Sequence, residues 1–111
     1  MKSLEEWVEK LKEADKTIVV EGVRDKIALG KLGIPGKRIV FLDGPLYKIV
    51  ENVYKREKDC ILLLDLDKEG KKLFHRLRHD LQHFGVKIDH KFREFLFKET
   101  GITYIEKIKL D

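Results

Sequence analysis

Residues 60–70 read CILLLDLDKEG, and most of the information about the fold lies in this segment. It begins with a continuous apolar run, which is typical of a β-strand buried on both faces of a parallel sheet. Asp65 ends the run and Asp67 follows two positions later, so in an extended chain both carboxylates point to the same side. In the long amphipathic segment that follows, Gly70 allows another backbone to approach closely. The segment therefore predicts a buried strand, an acidic turn and a helix, in that order.

Apolar spacing on both sides of this segment predicts alternating helices and strands. Ser3 and Glu6 have the spacing of a capping box and begin a helix that runs to about Ala14. The expected strands are residues 17–21, 38–43, 60–65 and 86–89, and the expected later helices are residues 24–32, 46–54, 68–84 and a segment around Phe92 that ends before Gly101. This order predicts an α/β fold, with a mostly parallel sheet of about four strands flanked by helices.

The tail of the chain gives a weaker strand signal. Ile102, Tyr104, Ile108 and Leu110 fall on one side if residues 102–110 are extended. We therefore expect a C-terminal edge strand, which could pair with another subunit or close the sheet edge within one chain.

Length and composition predict a single domain that spans residues 1–111. Hydrophobic residues make up 42% and charged residues 40%, which is typical of a folded domain with a heavily charged surface. The apolar run at residues 61–64 is too short to cross a bilayer and no apolar signal segment follows Met1, so we expect a cytoplasmic protein without membrane contact. The net charge of +4 is compatible with a nucleic-acid partner without requiring one.

Each of the four expected strands ends in an acidic residue: Glu21, Asp43, Asp65 and Asp89. The carboxyl ends of parallel strands meet at one edge of a sheet, where ligands bind. Crowded carboxylates raise one another's pKa or require a cation, and Mg²⁺ suits oxygen ligands. For Asp43 and Asp89 we favour capping of the following helix instead. For Asp65 and Asp67 we favour a metal site over capping by Asp67.

Two segments resemble the signatures of a known family. Residues 20–29, VEGVRDKIAL, and residues 64–70, LDLDKEG, are similar to the two motifs of the Toprim family, in the order in which that family has them. The family includes topoisomerase catalytic domains, bacterial-type primases, the ribonuclease that matures 5S ribosomal RNA, recombination mediators and small stand-alone members. The resemblance covers nearly the whole chain and implies a Toprim fold, which is Rossmann-like.

The resemblance also implies roles for individual residues. It makes Glu21 the general acid/base, and Asp65 and Asp67 the ligands of Mg²⁺ or Mn²⁺. Gly22 and Gly70 would be tight backbone positions beside them. The expected function is metal-dependent phosphodiester chemistry on RNA or DNA, as a nuclease or in nucleotidyl transfer. The alternative is an adaptor that binds nucleic acid or a protein partner without turnover.

Other charged residues near the motifs are candidates for supporting roles. Asp25 matches an acid that is frequent in the family, and is equally typical of the first turn of a helix. Glu69 is either an auxiliary acid at the metal or a solvated helix residue. Five basic residues could contact phosphates: Arg24, Lys26, Lys68, Lys71 and Lys72.

Several other patterns are not expected to carry chemistry. His75, His79 and His83 repeat at helical spacing away from the apolar stripe, which favours a solvated face over a metal site. Residues 33–38, GIPGKR, lack the Ser or Thr that follows the lysine of a phosphate-binding loop. Cys60 lies in a buried strand, and as the single cysteine it excludes an internal disulfide. A receiver-like phosphoryl acceptor and a phosphatase with Asp65 as nucleophile both lack further parts that they would need.

Overall fold

A computed structural model describes residues 1–110, and its centre is one sheet of parallel strands. The strands are β1 (Thr17–Val20), β2 (Ile39–Phe41), β3 (Asp59–Leu62) and β4 (Lys87–Asp89). Their spatial order is β2-β1-β3-β4, and every neighbouring pair is parallel. The predicted α/β fold with a four-stranded parallel sheet is therefore confirmed.

Within residues 1–110, five α-helices surround the sheet. They are α1 (Leu4–Glu13), α2 (Val23–Lys31), α3 (Leu46–Arg56), α4 (Lys68–His83) and α5 (Lys91–Glu99). Short 3₁₀ turns occupy Gly36–Arg38 and Ile105–Lys107. None of the helices described over residues 1–110 is long and apolar enough to span a membrane.

The central strands are buried on both faces, as their apolar runs predict. Ile18, Val20, Ile61 and Leu63 point toward a core that they share with α1, α2 and α5. The alternate residues point to the opposite face, against α3 and α4, and are Val19, Cys60, Leu62 and Leu64. The result is three layers with the sheet in the middle. Burial also raises the pKa of the Cys60 thiol to about 12, so almost no reactive thiolate forms at neutral pH.

Both ends of α1 are closed by side chains. Ser3 Oγ accepts a hydrogen bond from Glu6 N at 3.1 Å, as the capping spacing predicts. At the other end the buried Arg38 guanidinium donates to the carbonyl oxygens of Leu11, Lys12 and Lys16 at 3.0 to 3.2 Å. Arg38 thus satisfies carbonyls that a helix leaves unpaired at its C-terminus. This structural role agrees with the exclusion of residues 33–38 as a phosphate-binding loop.

The predicted C-terminal edge strand is wrong. Residues 101–110 contain a 3₁₀ turn and no strand, and Tyr104 and Leu110 are 44% and 40% exposed. Ile105 and Ile108 are buried instead, three residues apart, in the core shared with α2. The tail crosses the carboxyl end of the sheet, where Leu66 N donates to Thr103 O at 2.7 Å. Contacts with α2 and with the residues after β3 therefore outweigh pairing at the sheet edge.

Candidate metal centre

The candidate site lies where the strand order reverses. In the sheet, β2 lies on one side of β1 and β3 lies on the other side. The helices that follow β1 and β3 therefore leave toward opposite faces of the sheet, and a crevice opens between the two carboxyl ends. Glu21 follows β1 directly, and Asp65 follows β3 by three residues, so both are placed at this crevice.

Glu21 and Asp65 are joined by a hydrogen bond. The backbone N–H of Asp65 donates to Glu21 Oε1 at 3.1 Å. Asp65 Oδ1 in turn accepts from the backbone N–H of Ile105 at 2.8 Å, so the tail holds this side chain in place. One oxygen of each carboxylate is thus bound by the protein, and the other oxygen of each has no hydrogen-bond partner in residues 1–110.

Asp67 is the N-cap of α4. Its Oδ1 accepts from the backbone N–H of Gly70 at 2.8 Å, which is the capping role that the sequence left as an alternative. Its second oxygen has no hydrogen-bond partner among the described residues. Glu69 is exposed and turns to Lys72, with Oε1 and Nζ 3.9 Å apart. The structure therefore keeps Asp67 near the site and leaves Glu69 on the solvated side of α4.

The two glycines predicted as tight positions differ. A methyl group at Gly70 would lie 2.6 Å from the carbonyl carbon of Asp65 and 2.8 Å from Glu21 Oε1, so no side chain fits there. Around Gly22, a methyl group would meet only Asp25 Oδ2, at an ordinary 3.9 Å. Gly22 is thus the N-cap of α2 with extended backbone, and sterics do not require a glycine at that position.

Burial disfavours the charged form of the carboxylates at the site. Burial, together with the nearby charges of Asp65, Asp67 and Asp25, raises the pKa of Glu21 to about 7, although the hydrogen bond from Asp65 N acts in the opposite direction. The pKa of Asp65 is also raised by burial, with contributions from Asp25, Asp67 and Glu106. No Lys or Arg within residues 1–110 forms an ion pair with Glu21, Asp65 or Asp67. Carboxylates in this state are stabilised by a cation.

Asp25 both caps α2 and contributes charge to the site. Its Oδ2 accepts from the backbone N–H of Gly22 at 3.0 Å, which completes the first turn of the helix. The side chain is buried, and burial raises its pKa, with Glu106 of the tail adding a like charge. The two interpretations of Asp25 are therefore compatible. Glu106 had no motif to identify it in the sequence.

Arg93 is the main site residue that sequence reasoning missed. Its Nε donates to Leu64 O at 3.1 Å and its Nη2 donates to Asp65 O at 3.0 Å. The guanidinium lies 4.2 Å from the centroid of the Phe74 ring. Burial lowers the pKa of Arg93, and the charges of Glu21 and Asp65 oppose that effect, so a positive charge lies beside the carboxylates. Its only sequence signal is its position on α5 between the core residues Phe92 and Phe95.

The predicted phosphate-binding residues do not form ion pairs with the carboxylates of the site in residues 1–110. Lys26 Nζ lies 5.8 Å from the Phe41 ring, on the β2 side. Lys71 Nζ lies 5.7 Å from the Phe97 ring, on the α5 side. The remaining members are exposed on the first turns of α2 and α4: Arg24, Lys68 and Lys72.

Two of the four strand-end acids lie outside the centre. Asp89 aligns with Ile61, four residues before Asp65, because the short β4 pairs only with the first part of β3. Its carboxylate pairs with Lys16 at 3.2 Å and accepts from Lys91 N, at the start of α5, at 3.1 Å, so the capping role that we favoured for Asp89 is confirmed. Asp43 is exposed, and α3 begins after Pro45 without a side-chain cap, so the capping role that we favoured for Asp43 is wrong.

The donor set fits a hard divalent cation. Within residues 1–110, no three His, Cys, Asp or Glu side chains are arranged closely enough to hold an ion as they are placed. The centre offers carboxylate oxygens only, and Glu21, Asp65 and Asp67 each keep one oxygen free of hydrogen bonds from the protein. Mg²⁺ is typically held by one or two carboxylates and keeps several waters, so these residues match its requirements.

The sequence matches the model of one protein family and is similar to several archaeal proteins. The model of the Toprim domain matches residues 15–90, which include both motifs. A UPF0292 protein of Methanocaldococcus jannaschii is 39% identical over 102 residues, covering 89% of this chain and 80% of its own. A UPF0292 protein of Pyrococcus abyssi is 36% identical over 95 residues, covering 86% of this chain and 71% of its own.

Structural comparison gives a consistent result. A solved structure of a protein from Aquifex aeolicus superposes with a TM-score of 0.90 at 34% identity. The match covers 97% of this chain and 100% of the Aquifex chain. The likeness therefore extends from the sheet to the flanking helices.

Proposed function

This chain belongs to the Toprim domain family, and we propose that it binds Mg²⁺ or Mn²⁺ at Asp65 and Asp67, beside Glu21, for phosphodiester chemistry on nucleic acid. The reaction would be cleavage or nucleotidyl transfer on RNA or DNA. One observation carries the proposal: the hydrogen bond of 3.1 Å from Asp65 N to Glu21 Oε1 joins the two sequence motifs in a single half-buried centre.

The surroundings of each site residue suggest its role. Asp65 and Asp67 would hold the ion through the oxygens that the protein leaves free. When bound, a divalent ion neutralises the non-bridging oxygens of a phosphate. Glu21 has a pKa of about 7, so near neutral pH its carboxyl group can either accept or release a proton. Charge from a cation would move that pKa back toward its ordinary value.

Arg93 supports the centre as a positioning residue. Its hydrogen bonds to Leu64 O and Asp65 O fix the backbone that carries the Asp65 side chain. Glu21 is oriented by the same backbone through Asp65 N. Arg93 therefore helps to hold the two motifs together, from a helix that contains neither of them.

A second candidate function is an adaptor that binds nucleic acid or a protein partner without turnover. The favouring observation is that Asp67 already caps α4 and that no three-ligand group is preformed within residues 1–110. An adaptor would use the basic residues around the site and leave chemistry to a partner.

Incubation with labelled nucleic acids separates the two functions. Structured RNA, single-stranded DNA and supercoiled DNA would each be mixed with the protein in Mg²⁺, Mn²⁺ or EDTA. We expect cleavage or transfer in metal only, reduced at least ~100-fold by Glu21→Gln, because general acid/base catalysis contributes that much. Asp65→Asn should abolish the metal-dependent activity, whereas Asp43→Asn, at an exposed acid outside the centre, should leave activity unchanged.

The remaining outcomes are equally decisive. Tight binding without any turnover would favour the adaptor. Failure to bind or process any of the three substrates would contradict the nucleic-acid assignment.

A further inference from the structure

A groove between α4 and α5 is chemically unlike the other grooves of the molecule. Its volume is about 310 Å³, near the lower end of sites for small ligands. We call it the α4–α5 groove and define it by its lining residues: Phe74, Arg78, His90, Arg93, Glu94, Phe97 and Lys98. Residues on α4 and α5 that are three or four positions apart contribute to it, because such residues share one side of a helix.

Charge in the α4–α5 groove favours an anion. Arg78, Arg93 and Lys98 line it with a single acid, Glu94. Lys71 lies next to the lining, with its Nζ 5.7 Å from the Phe97 ring. The groove between α3 and α4 instead carries the acids Glu51 and Asp80 among its aromatic residues, which makes it unsuitable for a polyanion.

An exposed aromatic ring accompanies this charge. Phe97 is 62% exposed, although α5 buries Phe92, Phe95 and Leu96 on its core face. Packing therefore gives no reason for a phenylalanine at position 97. The groove between α2 and the tail is also basic but has no aromatic lining residue. An open ring beside cations is the combination that stacks an unpaired base and binds its phosphate.

The α4–α5 groove borders the carboxylate centre at Arg93. Arg93 lines the groove, and its Nη2 donates to Asp65 O at 3.0 Å. Phe74 also lines the groove, and its ring centroid lies 4.2 Å from the guanidinium of Arg93 and 5.6 Å from that of Arg78. A strand lying in the groove would thus contact the residue that holds the backbone of Asp65.

From the open ring, the cations and the contact of Arg93 with Asp65, we infer that the α4–α5 groove binds single-stranded nucleic acid, stacking a base on Phe97 and leading the strand toward the carboxylate centre. The inference rests on the proposed function and adds that the nucleic-acid substrate is single-stranded. A duplex keeps its bases paired and stacked, so it cannot use Phe97 in this way.

Fluorescence anisotropy tests the groove without metal or turnover. The protein in EDTA would be titrated into a labelled single-stranded oligonucleotide and into the matching duplex. We expect Phe97→Ala to weaken single-strand binding about tenfold, because loss of one stacked base has an effect of this order. Phe97→Trp should restore binding, and Tyr47→Ala, at a 68% exposed aromatic on α3, should have no effect. Duplex affinity should change less than single-strand affinity.

A salt series adds a second readout. Lys98→Ala should lower the slope of log affinity against log salt by about 0.7, the contribution of one contact to a single-stranded phosphate. All of the substituted residues have exposed side chains, so the thermal unfolding temperatures of the variants should match that of the unmodified protein.

The outcomes separate this inference from the proposed function. If Phe97→Ala leaves single-strand affinity unchanged, or if the unmodified protein does not prefer single strands, the inference is overturned, whether or not Glu21→Gln abolishes turnover. If no substrate is ever cleaved but Phe97→Ala still weakens single-strand binding, the groove stands and the catalytic proposal fails.

Discussion

Gly70 is the residue on which the closeness of the two motifs depends. The helix α4 starts so near the end of β3 that a methyl group at position 70 would lie 2.6 Å from the carbonyl carbon of Asp65. Gly70→Ala must therefore displace the backbone of Asp65 or the start of α4. We expect it to lower the free energy of unfolding by about 1–3 kcal/mol, the usual cost of overpacking. Urea denaturation measures this directly.

Gly30 provides the matched control. It lies on the exposed side of α2, and a methyl group there would have no atom within 4 Å. Gly30→Ala should raise the free energy of unfolding by up to about 1 kcal/mol, because alanine favours the helix. Equal stability of the two variants would show that the contact at Gly70 is not as close as described.

At the level of elements, Arg38 connects α1 to the start of β2. Its guanidinium closes α1 by donating to Leu11 O and Lys12 O, and it reaches Lys16 O before β1. We expect Arg38→Met to lower the free energy of unfolding by about 2–3 kcal/mol, since hydrogen bonds from a charged donor are lost and buried carbonyls remain. Urea denaturation would again give the value.

Arg56→Met is the comparison for Arg38. Arg56 is exposed and donates to a single carbonyl oxygen, that of Lys37, at 2.9 Å. Its replacement should change stability by no more than about 0.5 kcal/mol, as at other surface positions. A loss as large as that of Arg38→Met would mean that burial of the guanidinium is not the cause.

Sequence periodicity predicts the helices and central strands because their apolar residues follow the local geometry of each element. The tail shows where this fails. Its alternating residues fit a strand, yet Ile105 turns inward because Asp65 Oδ1 accepts its N–H and α2 receives its side chain. Those partners are distant in the sequence, and no local pattern encodes them.

The same reasoning applies to the candidate site. Glu21, Asp65 and Asp67 are identified by motifs that include their neighbours, whereas Arg93 reaches Asp65 from a separate helix. Asp89 ends a strand yet lies outside the centre because register is a property of a strand pair, and β4 aligns Asp89 with Ile61. Spacing along one strand contains no information about this alignment.

Across the whole molecule, charge is distributed unevenly. The chain has a net charge of +4, yet its acids meet at the carboxyl ends of β1 and β3 without an ion pair to Glu21, Asp65 or Asp67 in residues 1–110. Basic side chains are present on α2, α4 and α5, and that of Arg93 on α5 contacts the backbone of Asp65. A net positive charge favours a polyanion, whose phosphates would require a cation where they meet the carboxylates.

Binding of Mn²⁺, followed by isothermal titration calorimetry, tests the metal centre most directly. We expect the unmodified protein to bind the ion, and Asp65→Asn to weaken binding by at least about tenfold, the usual scale for lost support of a metal site. Asp43→Asn removes an equal charge from an exposed acid outside the centre and should leave the affinity unchanged. Absence of Mn²⁺ binding in the unmodified protein, or equal affinity in Asp65→Asn and Asp43→Asn, would contradict a metal centre at Glu21, Asp65 and Asp67.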